Sequence, residues 1–240
     1  MRRVRLSTGP AALFGAMLLV ALIIFLPMRL ALGWADVGER GLVSRAVSGT
    51  IWGATMREAR FGDLALGDLA VRLSPLPLLV GRAAMVLDGP GEGGLPLSGT
   101  AFVSRHTAGV DDLTARIATG RAFAPLPVSG VDLDGFSVRF EDGRCVEAGG
   151  RVRATLAGDA GGIALPPSAE GVARCEAGAL LLPLASQAGT EAIALFIQGD
   201  GGYRAELSVR PTDPLAGERL ERAGFVAGPD GYRLSVQGGF

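Results

Sequence analysis

The side chains that could do chemistry are few and scattered. One histidine occurs, His106, with Ser104, Asp111 and Asp112 close to it in sequence. A Ser-His-Asp relay would have to use this residue, because an imidazole must carry the proton between nucleophile and carboxylate. Ser104-Arg105-His106 lacks the glycines of a nucleophile elbow, so His106 reads as a surface or strand-edge residue. Carboxylates occur singly or as Asp111-Asp112 and Glu141-Asp142, the latter running into Gly143 as a turn signal. Gly149-Gly150 and Gly161-Gly162 lack the strand–turn–helix setting of a phosphate loop. Two Cys and one His are too few for a zinc module or a disulfide-dense scaffold. The expectation is a non-enzyme with no catalytic residue, cofactor or metal, since function must be argued from a site.

Composition narrows the class. The 240 residues carry 23 basic side chains, all Arg, against 24 Asp and Glu, for a net charge of −1. Apolar residues make up 48% and Gly numbers 37, which excludes a disordered chain. The near-neutral balance lacks the basic footprint of a nucleic-acid binder.

The elements that must position any functional surface begin with the N-terminus. Arg2, Arg3 and Arg5 precede an uncharged run from Leu6 to Met28. About 20 apolar residues at 1.5 Å rise span the hydrocarbon core as a helix. The Arg cluster belongs on the cytoplasmic side, while Arg29 and Trp34 mark the opposite interface. Pro27 ends the run. A cleaved secretory signal is the competing reading, with Ala31-Leu32-Gly33 as its small-residue site; the apolar core exceeds the usual signal length. Both readings export the chain from about residue 35 onward, as its hydropathy flanks require. The expected division is a cytoplasmic cluster and transmembrane anchor at 1–33 and a periplasmic β domain at 34–240. In an oxidising compartment Cys145 and Cys175 can pair. Closing a loop of about 30 residues contributes roughly 3–4 kcal/mol.

Beyond Leu42 the apolar period is two. Leu64, Leu66, Leu69, Val71 and Leu73 alternate with a phase slip near Gly67-Asp68, as a bulge would produce. Phe136, Val138 and Phe140 share a face, as do Val152, Ala154 and Leu156. Ile193, Leu195 and Ile197 lead through Gly199-Asp200-Gly201 into Tyr203, Ala205, Leu207 and Val209, a hairpin pattern. Tyr232, Leu234 and Val236 form a last strand. The fold class is therefore mainly β: an antiparallel sheet, open and curved or partly closed into a barrel. One short helix is expected from Asp213-Pro214 to Ala223, stopped by Gly224. Leu76 to Val80 reads as a connecting turn packed on the sheet. The alternating C-terminus ending on Phe240 admits an outer-membrane barrel, although aromatic girdles are sparse at 2 Tyr and 2 Trp.

Four stretches carry a family resemblance. They are Leu26-Pro27-Met28-Arg29; Gly41-Leu42 with Val47-Ser48-Gly49-Thr50-Ile51-Trp52-Gly53-Ala54; Leu66-Gly67-Asp68-Leu69 with Arg72-Leu73-Ser74-Pro75-Leu76-Pro77-Leu78-Leu79; and Cys175 with Leu182-Pro183-Leu184, Gly202-Tyr203 and Gly238-Gly239-Phe240. In this order the chain resembles the type II secretion system protein N family of Gram-negative bacteria. The resemblance implies an inner-membrane protein with a periplasmic β domain, supporting export of folded proteins across the outer membrane. Its implied partners are other inner-membrane components and the outer-membrane secretin. The family offers no catalytic residues. The strand-rich domain is also similar to the one-sided sheets of AsmA-type periplasmic lipid-handling proteins, so a lipid-binding groove is the alternative.

Overall fold

The alternating segments assemble into one long antiparallel sheet. The computed structural model describes residues 8–34, 42–90, 96–120, 122–124, 126–160, 163–211 and 216–239. Two helices come first, α1 (Thr8–Ile24) and α2 (Met28–Trp34). The N-terminal half of the sheet holds β1 (Leu42–Val43), β2 (Ala46–Thr50), β3 (Gly53–Phe61), β4 (Leu64–Ser74), β5 (Ala83–Gly89), β6 (Leu97–Val103) and β7 (Thr107–Ala118). A single helical turn, α3 (Pro75–Leu78), joins β4 to β5. There follow β8 (Val128–Glu141), β9 (Arg144–Leu156), a separate small pair β10 (Asp159–Ala160) and β11 (Ile163–Ala164), then β12 (Ser168–Val172) and β13 (Arg174–Glu176). The last elements are β14 (Ala179–Ala185), β15 (Glu191–Ile197), β16 (Gly202–Val209), α4 (Ala216–Arg222), β17 (Val226–Gly228) and β18 (Gly231–Gly239).

The strand order is β1-β3-β4-β5-β6-β7-β8-β9-β12-β14-β15-β16-β18-β17, with β2 on β3 and β13 on β14. Most steps join sequence neighbours, the exceptions being β1–β3, β9–β12, β12–β14 and β16–β18. Turn chemistry explains this at β8–β9, where Glu141 pairs with Arg144 and both Asp142 and Gly143 adopt positive φ. Such a two-residue turn matches the twist of the strands it joins. Among the described residues no pairing joins β1 or β2 to β17 or β18, so the sheet does not close end to end, but its N-terminal half curls until Ala65 of β4 pairs with Ala118 of β7.

One face of the sheet is apolar, and it is buried in two cores. The larger lies over β8, β9 and β14 to β16, with Val152, Leu207 and Val209 almost fully buried. Phe123 and Leu126 cover it from the connection between β7 and β8, and Leu220 of α4 and Phe225 cover it from the other side. The covering connection is held by its own polar groups. Thr119, itself buried, donates its hydroxyl to the Val128 carbonyl at 2.7 Å. The Tyr203 hydroxyl donates to the Ala122 carbonyl, and its ring meets Phe123 edge-on at 5.4 Å. The smaller core joins Met56, Ala59, Leu69 and Val71 to Met28 and Leu32 of α2.

Several expectations shift. The apolar run Leu6–Met28 is not one helix: α1 ends at Ile24, and Pro27 forms an isolated bridge with Thr50 before α2 begins. Proline cannot continue the hydrogen-bond ladder, and the neighbouring backbone is captured by the sheet instead. The described part of α1 has 17 residues, about 25 Å at 1.5 Å rise. Among the described residues no helix is long and apolar enough to cross a membrane. The phase slip near Gly67-Asp68 is a pair of adjacent bulges: Leu66 is the extra residue of β4, between the pairs Arg60–Ala65 and Ala59–Gly67, and in the next step, up to the pair Met56–Leu69, β3 carries the extra residue. Glu58 of β3 takes φ +49° and its amide donates to the Asp68 carboxylate at 2.9 Å. The connection from Leu76 to Val80 does not pack on the sheet; Leu76, Leu79 and Val80 are 77%, 84% and 82% exposed. The start of the C-terminal helix at Asp213-Pro214, and Phe240, lie outside the described residues. Its end is as expected: Gly224 takes φ +92° and its amide donates to Glu221.

Leu220 tests the covering of the larger core. It has no exposed surface, so Leu220→Ala should cost about 3 kcal/mol through lost transfer energy and a residual cavity. Urea titration of the full chain followed by circular dichroism checks this.

Candidate functional site

Of the residues singled out for chemistry, His106 and Asp142 meet, and Ser104, Asp111 and Asp112 do not join them. His106 lies in the β6–β7 turn, where its Nδ1 is 2.9 Å from Oδ1 of Asp142 in the β8–β9 turn; both side chains are 75% exposed. Ser104 bonds within its own turn, with its hydroxyl 2.7 Å from the Thr107 hydroxyl and accepting the Thr107 amide. Asp111 and Asp112 are the two residues of a bulge in β7. The Ser137 hydroxyl accepts the Asp112 amide and donates to the Asp111 carboxylate. This local role leaves them apart from His106. Gly149-Gly150 sits within β9, and Gly161-Gly162 lies outside the described residues. Among the described residues no cluster of His, Cys, Asp and Glu could hold a metal ion.

Cys145 of β9 and Cys175 of β13 form a disulfide, their Cα atoms 5.5 Å apart. β13 pairs with β14 and lies alongside β9. The Cys145 amide donates to Gly178 in the β13–β14 turn and the Ala173 amide donates to Gly150 of β9. The disulfide thus closes a stretch where regular strand pairing gives way to isolated backbone bonds.

The outer face of the sheet is charged. Arg116, Asp132, Arg153 and Glu170 lie in register across β7, β8, β9 and β12, alternating in sign. Arg116 pairs with Asp132, Arg153 with Glu170 at 2.8 Å and Arg151 with Asp134 at 2.9 Å. The hydrogen bond to Asp132 raises the Arg116 pKa further above its ordinary value. Opposite charges directly across a sheet support its register, each exposed pair contributing little alone. This ladder lines an open hollow of about 520 Å³. It is a solvated face of exposed ion pairs.

The N-terminal helices meet the sheet at the β2–β3 turn. The Ile51 amide donates to Leu26 at 3.0 Å, the Leu73 amide of β4 donates to Ile51 at 3.2 Å, and the Trp52 indole N–H donates to Ile23 at 3.1 Å. Two carbonyls at the α1 exit, those of Ile23 and Leu26, are satisfied in this way. Sequence reasoning gave Trp52 no role; its position in Ile51-Trp52-Gly53, between two β runs, was the available signal. Arg29 is exposed in α2, and Trp34 is its last residue. Arg2, Arg3 and Arg5 lie outside the described residues. Around this junction α1 carries apolar side chains that are exposed on all sides, Leu13, Phe14 and Leu22 among them.

These features define an open, one-sheet antiparallel β domain on a helical stem, offering surfaces and edges instead of a reactive pocket. A family model described as type II secretion system (T2SS), protein N matches residues 40–235, and the chain belongs to that family. No curated protein matches the chain, and no solved structure matches it. Family membership gives it a role in type II secretion as a membrane-associated component.

Two outcomes follow from this geometry. Replacing both cysteines by serine should cost about 3 kcal/mol, from the loop of roughly 30 residues no longer closed in the unfolded chain; urea titration with and without reductant measures it. Trp52→Phe removes the bond to Ile23, about 1 kcal/mol, and should speed amide hydrogen exchange across residues 23–34 while β8 and β9 keep their protection.

Proposed function

We propose that this protein is a non-enzymatic inner-membrane component of the type II secretion system. In this reading the Arg cluster stays in the cytoplasm, the apolar run that holds α1 forms a single membrane span, and the β domain from residue 34 lies in the periplasm. It supports export of folded proteins through contacts with other inner-membrane components, and the outer-membrane secretin is a further candidate partner. The observation that carries the reading is the family match over nearly all the strands. Two features of the molecule agree with it. A helix apolar on every side needs an apolar solvent, and α1 finds none on the domain. The charged outer face and the short outer strands β1, β2 and β17 offer contact surfaces.

A lipid-binding groove is the second reading, favoured by the one-sided sheet. The larger core is filled: the space left among Phe123, Leu126, Val152, Leu182 and Ile193 is about 20 Å³, enough for about one water and not for an acyl chain. Phospholipid in native mass spectra of the purified chain would restore this reading. The outer-membrane barrel has less support, since cross-strand ion pairs occupy the face that lipid would have to meet.

Deleting the gene should leave secreted proteins in the periplasm, with the full chain restoring release and a form lacking residues 1–33 failing to restore it. Fractionation of periplasm and medium reads the result; unchanged release in the deletion strain would overturn the proposal.

A further inference from the structure

The turn from Pro75 to Val80 is the most exposed apolar feature of the β domain. Leu76, Leu79 and Val80 are 77%, 84% and 82% exposed. Isolated exposed leucines need no explanation, but three on one projecting turn form a patch.

Its position is set by the helix junction. β4 runs straight into the turn, and two residues before it Leu73 donates to Ile51, which in turn donates to Leu26 at the α1 exit. Leu76 is therefore within about 10 Å of chain from the residue stitched to that exit. Trp52, half-buried and bonded to Ile23, stands at the same level. The turn thus caps the end of the sheet from which α1 projects.

Its backbone suits a medium without water. Pro75 and Pro77 carry no N–H. The amides of Leu79, Val80, Gly81 and Arg82 all donate to carbonyls within the turn, at 3.0–3.2 Å. A segment that satisfies its own amides can enter a low-dielectric layer without a large penalty. At its base the Arg82 guanidinium lies 3.8 Å over the Phe102 ring, placing a cation where lipid phosphates would stand.

The geometry points to a second membrane contact: Leu76, Leu79 and Val80 dip into the interfacial layer of the bilayer that α1 enters. Two contacts fix the tilt of the β domain on the membrane, where one helix alone would leave it free to swing. This inference rests on the reading of α1 as a membrane segment, so its test reports on both.

The full chain is reconstituted in vesicles of phosphatidylethanolamine and phosphatidylglycerol, with an environment-sensitive fluorophore on Leu79→Cys, Phe14→Cys or Asp230→Cys. Asp230 lies in the β17–β18 turn at the opposite end of the sheet. Brominated lipids should quench the Leu79 label about twofold, as expected for burial 5–10 Å into the interface, quench the Phe14 label and spare the Asp230 label. Quenching at Phe14 with Leu79 resembling Asp230 would overturn the inference and leave the anchor standing. Quenching at neither Phe14 nor Leu79 would overturn both. Quenching at Leu79 without Phe14 would keep the lipid contact and remove the anchor. Equal quenching at Leu79 and Asp230 would mean the domain lies flat, and the inference falls.

Discussion

A single antiparallel sheet has one apolar face to bury, and among the described residues the sheet turns back on itself only where β4 meets β7. Everything else in this molecule answers that constraint. An exposed apolar face of this size would be an association site, so the chain must cover it with its own connections. The segment carrying Phe123 and Leu126, α4 with Leu220, and α2 with Met28 and Leu32 do this work. The covering elements bring polar backbone with them, and the buried Thr119 and the Tyr203 hydroxyl satisfy part of it. A covered face is also a filled one, which is why the sheet presents its outside and its ends to partners.

The outside follows from the same alternation. Once the apolar residues of β7, β8, β9 and β12 turn inward, Arg116, Asp132, Arg153 and Glu170 turn outward in register. The charge pattern therefore reports strand register as well as surface chemistry. At the end of the sheet the β2–β3 turn fastens α1 and α2 to the domain through Leu26, Ile23 and Ile51. If α1 enters the bilayer as proposed, this joint sets the distance of the contact surfaces from it.

Little of the candidate site could be read from single residues. His106 and Asp142 are 36 positions apart in sequence and meet because two turns lie side by side. Asp111 and Asp112, near His106 in sequence, form a bulge, with positive φ at Asp112 and the Ser137 hydroxyl bonding both locally. The slip at Gly67-Asp68 was visible and is a bulge in β4 at Leu66; the second bulge, across the ladder at Glu58, left no mark in the β4 pattern. Leu76 to Val80 looked like packing residues because leucine and valine usually are, and nothing local reveals that among the described residues Leu76, Leu79 and Val80 stay exposed.

The sequence by itself determined the class of fold, most strand positions, the Gly224 stop and the plausibility of the Cys145–Cys175 bridge. Period-two alternation, turn residues and cysteine count are local quantities, and local quantities survive without coordinates. Tertiary structure alone decided how the apolar face was covered, where the Leu6–Met28 run broke, and which apolar residues stayed exposed. These depend on pairings between distant segments, such as Pro27 with Thr50 and Phe123 with Tyr203. No spacing along the chain encodes them, because the free energy of burial depends on what stands opposite a residue, not on what stands beside it.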